Sequence, residues 1–237
     1  MMACVLLLVA GCGTGLLSPK YEYEEEVYVS LDGSATVYVN AAVPALVALR
    51  GMDLPLDPRA RLDRDRIRQL FESPVTHVAN VSLSRRDGRR YAHLRIDVDD
   101  VRRLGEAAPF AWSRYRFEVG EESAEFTQRV GQPEGRDVGD VGWTGDELVA
   151  FRLHLPSRVT FHNSPSRAVE RGNIIAWEQP LSERIAGTPV DIDVRMDSAS
   201  ILANTLLLFG TMMVLVAITF AAFIWFIRRR GAAEPAA

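Results

Sequence analysis

One uninterrupted apolar stretch, residues 201–227, constrains this chain more than any other feature. It contains no Asp, Glu, Lys, Arg or His, and its polar side chains are Asn204, Thr205, Thr211 and Thr219. About 20 apolar residues are enough to cross the hydrocarbon core of a bilayer as a helix. The stretch exceeds that length, so we predict one membrane-spanning helix with room for some tilt. A buried core helix is the alternative, but core helices seldom run this far without a charge.

The charges on either side of the stretch predict its orientation. Arg228, Arg229 and Arg230 follow it directly, and an acidic segment, residues 191–197, precedes it. Arginines next to a span favour the cytoplasmic side of the membrane. We therefore expect a single span in the cytoplasmic membrane, with the tail at residues 228–237 inside the cell and the bulk of the chain outside.

The N-terminus has the features of a secretory leader. Residues 5–10 are apolar but too short to span a bilayer, and small residues lead up to Cys12. The order Val-Ala-Gly before Cys12 resembles the lipobox of bacterial lipoproteins, which implies cleavage ahead of Cys12 and acylation of its sulfur. An ordinary signal peptide with a coincidental cysteine is the alternative, and no Lys or Arg precedes the apolar run.

Composition argues for one domain held together by its own core. Removing the leader and the span from the 237 residues leaves about 185, enough for one such domain. The formal net charge of −4 argues against nucleic acid as a partner. The two cysteines are Cys4 and Cys12. Since Cys4 leaves with the leader and Cys12 would be acylated, we expect no disulfide in the mature domain.

Alternating apolar and polar residues predict an α+β domain built on antiparallel sheet. Asp32-Gly33 and Asp87-Gly88 each stand between alternating runs and are typical of hairpin turns. The clearest alternation is at residues 190–197. The pattern predicts about ten short strands with one face in water, together with two or three short helices.

Two of the predicted helices have both a functional and a structural interpretation. Residues 45–49 are apolar on all sides and end at Gly51, so this helix is either buried or in contact with a ligand. Residues 63–73 combine an apolar stripe with a face rich in arginine. That face suits anionic lipid headgroups, whereas the sequence favours a solvated face neutralised by aspartates. The arginines are Arg59, Arg61, Arg64, Arg66 and Arg68, and the aspartates are Asp57, Asp63 and Asp65.

Residues 131–145 form the least regular stretch of the chain. Their glycines and proline exclude a long helix or strand, and a loop of this length often binds or covers a ligand. Trp143 in this loop could cover an apolar cavity or rest on the bilayer surface. The favoured interpretation is that Trp143 is an anchor that packs the loop onto the domain.

Two short motifs resemble the LppM-type lipoprotein domain. Residues 155–163 read LPSRVTFHN and residues 172–177 read GNIIAW, similar to that family's Pro-x-x-Val-x-x-x-Asn turn into a Gly-Asn-x-x-x-Trp strand. The opening hairpin at residues 27–37 and the order of lipobox, α+β domain and C-terminal span are also similar. The resemblance implies a curved sheet packed on helices around an apolar cavity, and binding of an envelope lipid.

The ligand-contacting residues predicted for such a cavity come from the apolar helix, the glycine-rich loop and two strands. They are Leu46, Leu49, Trp143, Phe151 and Trp177. The sequence has no Gly-x-Ser-x-Gly, His-Glu-x-x-His, Walker loop or Cys-x-x-Cys motif. His154 and His162 lack a third metal ligand nearby in the sequence. We therefore expect no catalysis, no cofactor and no metal.

The sequence thus divides the chain into five parts. They are a signal peptide (1–11), a lipidated linker (12–20), an extracytoplasmic α+β domain (21–197), a transmembrane helix (198–227) and a cytoplasmic tail (228–237). We predict an envelope lipoprotein whose domain binds a lipid or other amphiphile without catalysis, with membrane lipids as partners. The alternative is a structural or interaction subunit of an envelope protein complex, because Gly210, Ala203 and Ala217 suit helix packing. The oligomeric state stays open.

Overall fold

The computed structural model describes residues 20–199 and 201–231 of the chain. The predicted signal peptide at residues 1–11, the predicted lipid-attachment residue Cys12 and most of the tail lie outside the described residues. Within the described ranges the α+β class predicted from the sequence is confirmed, with ten strands, three short α-helices, two short 3-10 helices and one long apolar helix.

The elements follow one another in this order. The first half contains β1 (Lys20–Val29), β2 (Ala35–Ala42), α1 (Val43–Arg50), α2 (Arg64–Phe71), β3 (Thr76–Arg86), β4 (Arg89–Val98) and 3-10 turns at Val101–Glu106 and Ala108–Phe110. The second half contains β5 (Ser113–Val119), β6 (Ser123–Val130), β7 (Glu147–His154), β8 (Val159–His162), β9 (Ile174–Pro180), α3 (Leu181–Ile185), β10 (Val190–Asp197) and α4 (Ile201–Gly231).

Both hairpins predicted from Asp-Gly turns are present. The first joins β1 to β2 and the second joins β3 to β4, and the strands of each hairpin run antiparallel. Gly33 and Gly88 have φ angles of 91° and 76°, which glycine adopts without the clash that a Cβ would cause. The local turn chemistry therefore fixes these two hairpins.

The strands form two sheets, with the orders β3-β4-β2-β1-β7-β9 and β5-β6-β10-β8. The prediction of antiparallel pairing holds for every neighbouring pair of these strands except β1 and β7, which run parallel. A parallel pair needs a long connection, and residues 30–146 supply it. Alternation along a strand shows which face is buried but not which strand lies beside it, so the sequence did not predict this pair.

A single hydrophobic core extends across both sheets and includes α1. All eight residues of α1 are buried, so its apolar residues are core residues, which is one of the two interpretations that the sequence allowed. Pro44 lies in the first turn, and Gly51 ends the helix with a φ of 65°. This helix end places the guanidinium of Arg50 inside the protein.

Residues 131–145, which we call the strap, contain no helix or strand, as predicted. The first part of the strap crosses the C-terminal end of α1. The N–H of Glu134 donates to the Leu49 carbonyl at 3.1 Å, and the N–H of Arg136 donates to the Val47 carbonyl at 3.4 Å. The Leu49 carbonyl is one that a helix end leaves without an intrahelical partner, whereas the Val47 carbonyl also accepts from the Gly51 N–H at 3.2 Å. The strap is therefore fixed directly to α1.

The C-terminal helix α4 is long and apolar enough to cross a membrane over Thr205–Arg229. Its side chains in that range are exposed, and the hydroxyl of Thr219 donates to the Leu215 carbonyl within the helix at 2.8 Å. Arg228 and Arg229 lie at its C-terminal end, where the Arg229 guanidinium lies 5.1 Å from the centre of the Trp225 ring. The cytoplasmic location of this end, including Arg230, stays a prediction.

We predict that Gly135→Ala destabilises the domain by about 2 kcal/mol or more, because the interior cannot accept the added methyl group without a backbone shift. A Cβ at Gly135 would lie 2.0 Å from the Ala48 carbonyl oxygen. The matched control is Gly139→Asn, because Gly139 has open space around it and asparagine tolerates its φ of 65°. Thermal unfolding of both variants should show a loss for the first only; equal stability would contradict the tight strap contact.

Candidate functional site

Five arginines line one open groove of about 1080 Å³ beside the β3–β4 hairpin. Arg59 and Arg61 come from the segment that leads into α2, Arg64 is the first residue of α2, and Arg85 and Arg90 come from the hairpin. The sequence predicted Arg64 on an arginine-rich helix face, with Arg59 and Arg61 upstream of it. Folding of the hairpin against that segment adds the other two, so we call this set the arginine groove.

Ion pairs do not neutralise the arginine groove. In the described part of the chain, none of its five guanidinium groups lies within 4.0 Å of a carboxylate. Asp57 instead accepts a hydrogen bond from the backbone N–H of Arg59 at 2.8 Å, and Asp63 caps α2 by accepting from the N–H of Asp65 at 2.8 Å. These two carboxylates accept backbone N–H groups and form no ion pair with the groove arginines, although Asp63 also lines the groove.

Arg85 and Arg90 also hold the groove together. The Arg85 guanidinium donates to the Pro58 carbonyl at 2.7 Å, and that of Arg90 donates to the Ala60 carbonyl at 2.7 Å. Partial burial lowers the pKa of Arg90, the positive charge of Arg85 lowers it further, and the negative charge of Asp57 raises it. The two cations therefore repel each other, and an anion bound near both would relieve that repulsion.

A second, more enclosed cavity of about 330 Å³ adjoins the arginine groove and shares Arg90 with it. Its walls come from the start of α1, the segment before α2, the β3–β4 turn and the strap. The lining includes the apolar residues Pro44, Leu56, Pro58, Val138 and Val141 and the acidic residues Asp87 and Asp140. A cavity of this volume suits part of a small molecule, so the pair of cavities suits a ligand with an anionic part and an apolar part.

Trp143 anchors the strap beside this apolar pocket. Its indole N–H donates to Glu22 at 3.2 Å, and its ring packs against the hydrophobic core. Glu22 is 1% exposed, accepts from the Tyr91 hydroxyl at 2.8 Å and forms an ion pair with Arg89 at 2.9 Å. Among the interpretations of Trp143 that the sequence allowed, these contacts support the anchor.

The other predicted ligand-contacting residues lie in the core. Leu46 and Leu49 are 0% exposed, Phe151 is 1% exposed and Trp177 is 3% exposed. None of them lines the arginine groove or the apolar pocket. The structure thus brings Trp143 near the candidate site but leaves the other four in the packed interior, and ligand contact by any of the five stays a prediction.

The strand registers place the arginine groove at the end of the domain opposite the start of α4. At the α4 end, the Ser157 hydroxyl donates to the Ala199 carbonyl at 2.9 Å. Ser157 follows β7, whose last residue, His154, pairs with Tyr28 near the end of β1. The β3–β4 turn lies at the other end of the same sheet, a distance of about 30 Å over the ten residues of β4.

A buried polar cluster between the two sheets escaped the sequence analysis. At its centre Glu25 is 0% exposed and accepts four hydrogen bonds. The donors are Arg50 at 2.6 Å, Tyr23 at 2.8 Å, Gln128 at 2.9 Å and Tyr115 at 3.0 Å. Burial raises the pKa of Tyr23 and of Tyr115 well above the usual value for tyrosine, so both remain protonated donors.

The two histidines considered as metal ligands lie on different sheets. His154 is on β7, where its ring contacts Glu26 at 3.0 Å and stacks on Tyr28 with ring centres 3.7 Å apart. His162 is on β8 of the four-stranded sheet. Among the residues that the structure describes, no group of three His, Cys, Asp or Glu side chains is placed to hold a metal ion.

Comparison with solved structures gives a structural likeness. The folded domain of LppM from Mycobacterium tuberculosis, solved by NMR, matches with a TM-score of 0.43 and 15% sequence identity. The match covers 77% of this chain and 93% of that one. No protein-family model and no curated protein matches the chain. The function proposed below therefore rests on the residues of this chain.

We predict that Glu25→Gln costs about 3 kcal/mol or more of unfolding free energy, because it leaves the buried Arg50 cation without its counter-charge. The side chains of this pair are 0% and 2% exposed. The control is Glu118→Gln, which removes a surface carboxylate 62% exposed beside Arg116, where a pair contributes about 1 kcal/mol or less. Denaturant unfolding should separate the two variants; similar losses would contradict the central role of Glu25.

Proposed function

We propose that this protein is a membrane-anchored envelope lipoprotein whose extracytoplasmic domain binds an anionic amphiphile without catalysis. The anionic group of the ligand would occupy the arginine groove, and part of its apolar chain would enter the adjoining pocket. The observation that carries the proposal is the set of five arginines, Arg59, Arg61, Arg64, Arg85 and Arg90, which have no ion-pair partner among the described residues. One of them, Arg90, also lines the adjoining apolar pocket.

The chemistry of the groove suits phosphate or carboxylate. Guanidinium groups offer several N–H donors in a planar fork and bind such oxygens bidentately. Arg85 and Arg90 are already held by carbonyls of the segment before α2. Ligand binding therefore costs little additional side-chain entropy, which favours affinity. An uncharged lipid would leave the repulsion between these cations in place.

The position of the groove in the domain favours a ligand that the protein takes out of a bilayer. It does not favour a patch that only attaches the domain to a bilayer. The groove lies about 30 Å from the α4 end of the sheet, as judged from the length of β4. With α4 in the cytoplasmic membrane, Arg228, Arg229 and Arg230 in the cytoplasm and the strands upright, the groove would face away from that bilayer. A patch that only rests on the surrounding membrane belongs near the α4 end.

A structural or interaction subunit is the second candidate, and the exposed side chains of α4 favour it. Apart from the adjacent residues and the backbone of its own helix, no described atom lies within 4 Å of the position that a Cβ of Gly210 would take, so another helix could approach closely there. This role needs no ligand in the arginine groove. The two proposals therefore differ in whether the domain binds amphiphiles and whether replacement of the groove arginines weakens that binding.

We predict that the full chain in nanodiscs of neutral lipid binds lysophosphatidylglycerol and that a triple variant, Arg59→Gln with Arg61→Gln and Arg64→Gln, binds it at least about tenfold more weakly. Each positive charge near an anionic headgroup contributes about 1 kcal/mol. Isothermal titration calorimetry below the critical micelle concentration measures the affinity. Zwitterionic lysophosphatidylcholine should bind much more weakly.

The matched control replaces three exposed arginines of the four-stranded sheet, Arg114, Arg116 and Arg129, by glutamine. This control keeps the same net charge as the triple variant but leaves the groove intact, so its affinity should stay within about twofold of the unmodified protein, since distant surface charges are screened. Equal loss in both variants, or no binding by the unmodified chain, would refute the groove and leave the interaction-subunit proposal.

We also predict that a protease added to intact spheroplasts removes the domain and spares the C-terminal tail, because arginines after a span favour the cytoplasm. The chain would carry an epitope tag after Ala237. Immunoblotting should then detect a short tagged fragment that contains α4 and the tail. A full-length tagged band that persists while a known external protein is digested, or loss of the tag, would contradict the proposed orientation.

A further inference from the structure

Two arginine guanidinium groups lie inside the core, and both are close to the ring of Trp112. The Arg50 guanidinium carbon lies 3.5 Å from the centre of a Trp112 ring, and that of Arg184 lies 5.3 Å from it. The side chain of Arg50 is 2% exposed and Arg184 is 0% exposed. Arginines are almost never buried to this extent without a counter-charge, so the charge balance around Trp112 needs an explanation.

Glu25 supplies a counter-charge for only one of the two cations. A carboxylate has about four lone-pair positions, and Glu25 uses four on Arg50, Tyr23, Tyr115 and Gln128. Arg184 has no carboxylate within 4.0 Å among the described residues. Two cations and one carboxylate leave the cluster with one excess positive charge in a poorly solvated interior, which is costly.

The same three side chains carry hydrogen-bond donors without partners. Arg184 donates from one terminal nitrogen to the Gly131 carbonyl, but its Nε and its Nη1 have no partner within the described part of the chain. The Nη1 of Arg50 and the Nε1 of Trp112 are unpartnered in the same way. Buried donors are nearly always satisfied in folded proteins, so four such groups around one ring point to an acceptor that the protein itself does not provide.

The direction of the pKa shift of Arg184 agrees with a shortage of negative charge around it. Burial lowers the pKa of Arg184, and the positive charge of Arg50 lowers it further. A nearby anion would oppose both effects, since an opposite charge favours the protonated form.

We propose that this cluster is a binding site for a small inorganic anion of halide size, held by the N–H donors of Arg50, Arg184 and Trp112. One negative charge would balance the one excess cation. A halide accepts hydrogen bonds from several directions. It therefore suits a group of N–H donors that are not arranged around one carboxylate. The aromatic neighbours Phe110 and Phe151 are 0% and 1% exposed, so the site would be shielded from solvent.

The proposed anion site is separate from the arginine groove, but the strap connects them. Gly131, whose carbonyl accepts the Arg184 bond, begins the strap, and Val138 of the strap lines the apolar pocket. Arg50 belongs to α1, to which the strap is bound at Glu134. The anion would therefore stabilise the elements that position the groove without touching the amphiphile.

Thermal unfolding of the full chain in detergent tests the site, with chloride as the probe and sodium gluconate used to keep ionic strength constant. Replacing 200 mM gluconate by chloride should raise the apparent melting temperature by about 3 °C or more, because a ligand bound to the folded state stabilises it by mass action. Arg184→Met removes the excess charge and should abolish the chloride effect. The control, Arg158→Met, removes an arginine whose side chain is 76% exposed and should retain the effect.

Two further measurements keep the test decisive if Arg184→Met fails to fold. Trp112→Phe keeps an aromatic ring but removes one donor, and it should weaken the chloride affinity several-fold. Crystals grown in bromide should show an anomalous peak among Arg50, Arg184 and Trp112. The proposal is overturned by equal melting temperatures in both salts, by a chloride effect that persists in Arg184→Met, by unchanged affinity in Trp112→Phe, or by water in place of the bromide peak.

Discussion

The buried carboxylate of Glu25 is the interaction on which the arrangement of this domain depends. It lies on β1 at the middle of the six-stranded sheet and binds Arg50 at the end of α1. It also accepts from Tyr115 on β5 and Gln128 on β6 of the other sheet. One side chain thus links two sheets and a core helix. A buried ion pair adds little net stability over a hydrophobic pair. In any other arrangement of these elements, however, a buried charge would lack its partner, which costs free energy. This contact therefore specifies how the three elements meet.

The candidate site follows from this contact through the strap. With Arg50 held by Glu25, the C-terminal carbonyls of α1 are fixed, and residues 134–136 bind them. The strap then continues to Val138 and Val141 in the apolar pocket and to Trp143, which is tied to Glu22 on β1. The pocket therefore lies between parts of the molecule that the core holds in place. The arginine groove beside it draws its positive charge from the segment before α2, the start of α2 and the β3–β4 hairpin.

Much of this structure follows from local sequence patterns. The contacts between distant parts of the chain do not. The Asp-Gly turns, the apolar helix after Pro44 and the span at residues 201–227 follow from neighbouring residues alone. The arrival of Arg85 and Arg90 beside Arg59 depends on how the hairpin packs, which no local pattern reveals. Alternate residues of a strand share a face, so Glu25 lies on the same face of β1 as Tyr23 and Val27. Its partners on β5 and β6 are far away in the sequence, and no local pattern reveals them.

Hydrogen–deuterium exchange of the full chain in neutral nanodiscs, with and without lysophosphatidylglycerol, tests the central claim most directly, since it shows where the ligand binds. The account predicts slower exchange at residues 58–64 and 84–90 and in the strap at 138–142. The α4 end of the domain, at residues 118–123, should remain unchanged. Slower exchange confined to that end, or no change anywhere in the domain, would contradict an amphiphile site in the arginine groove.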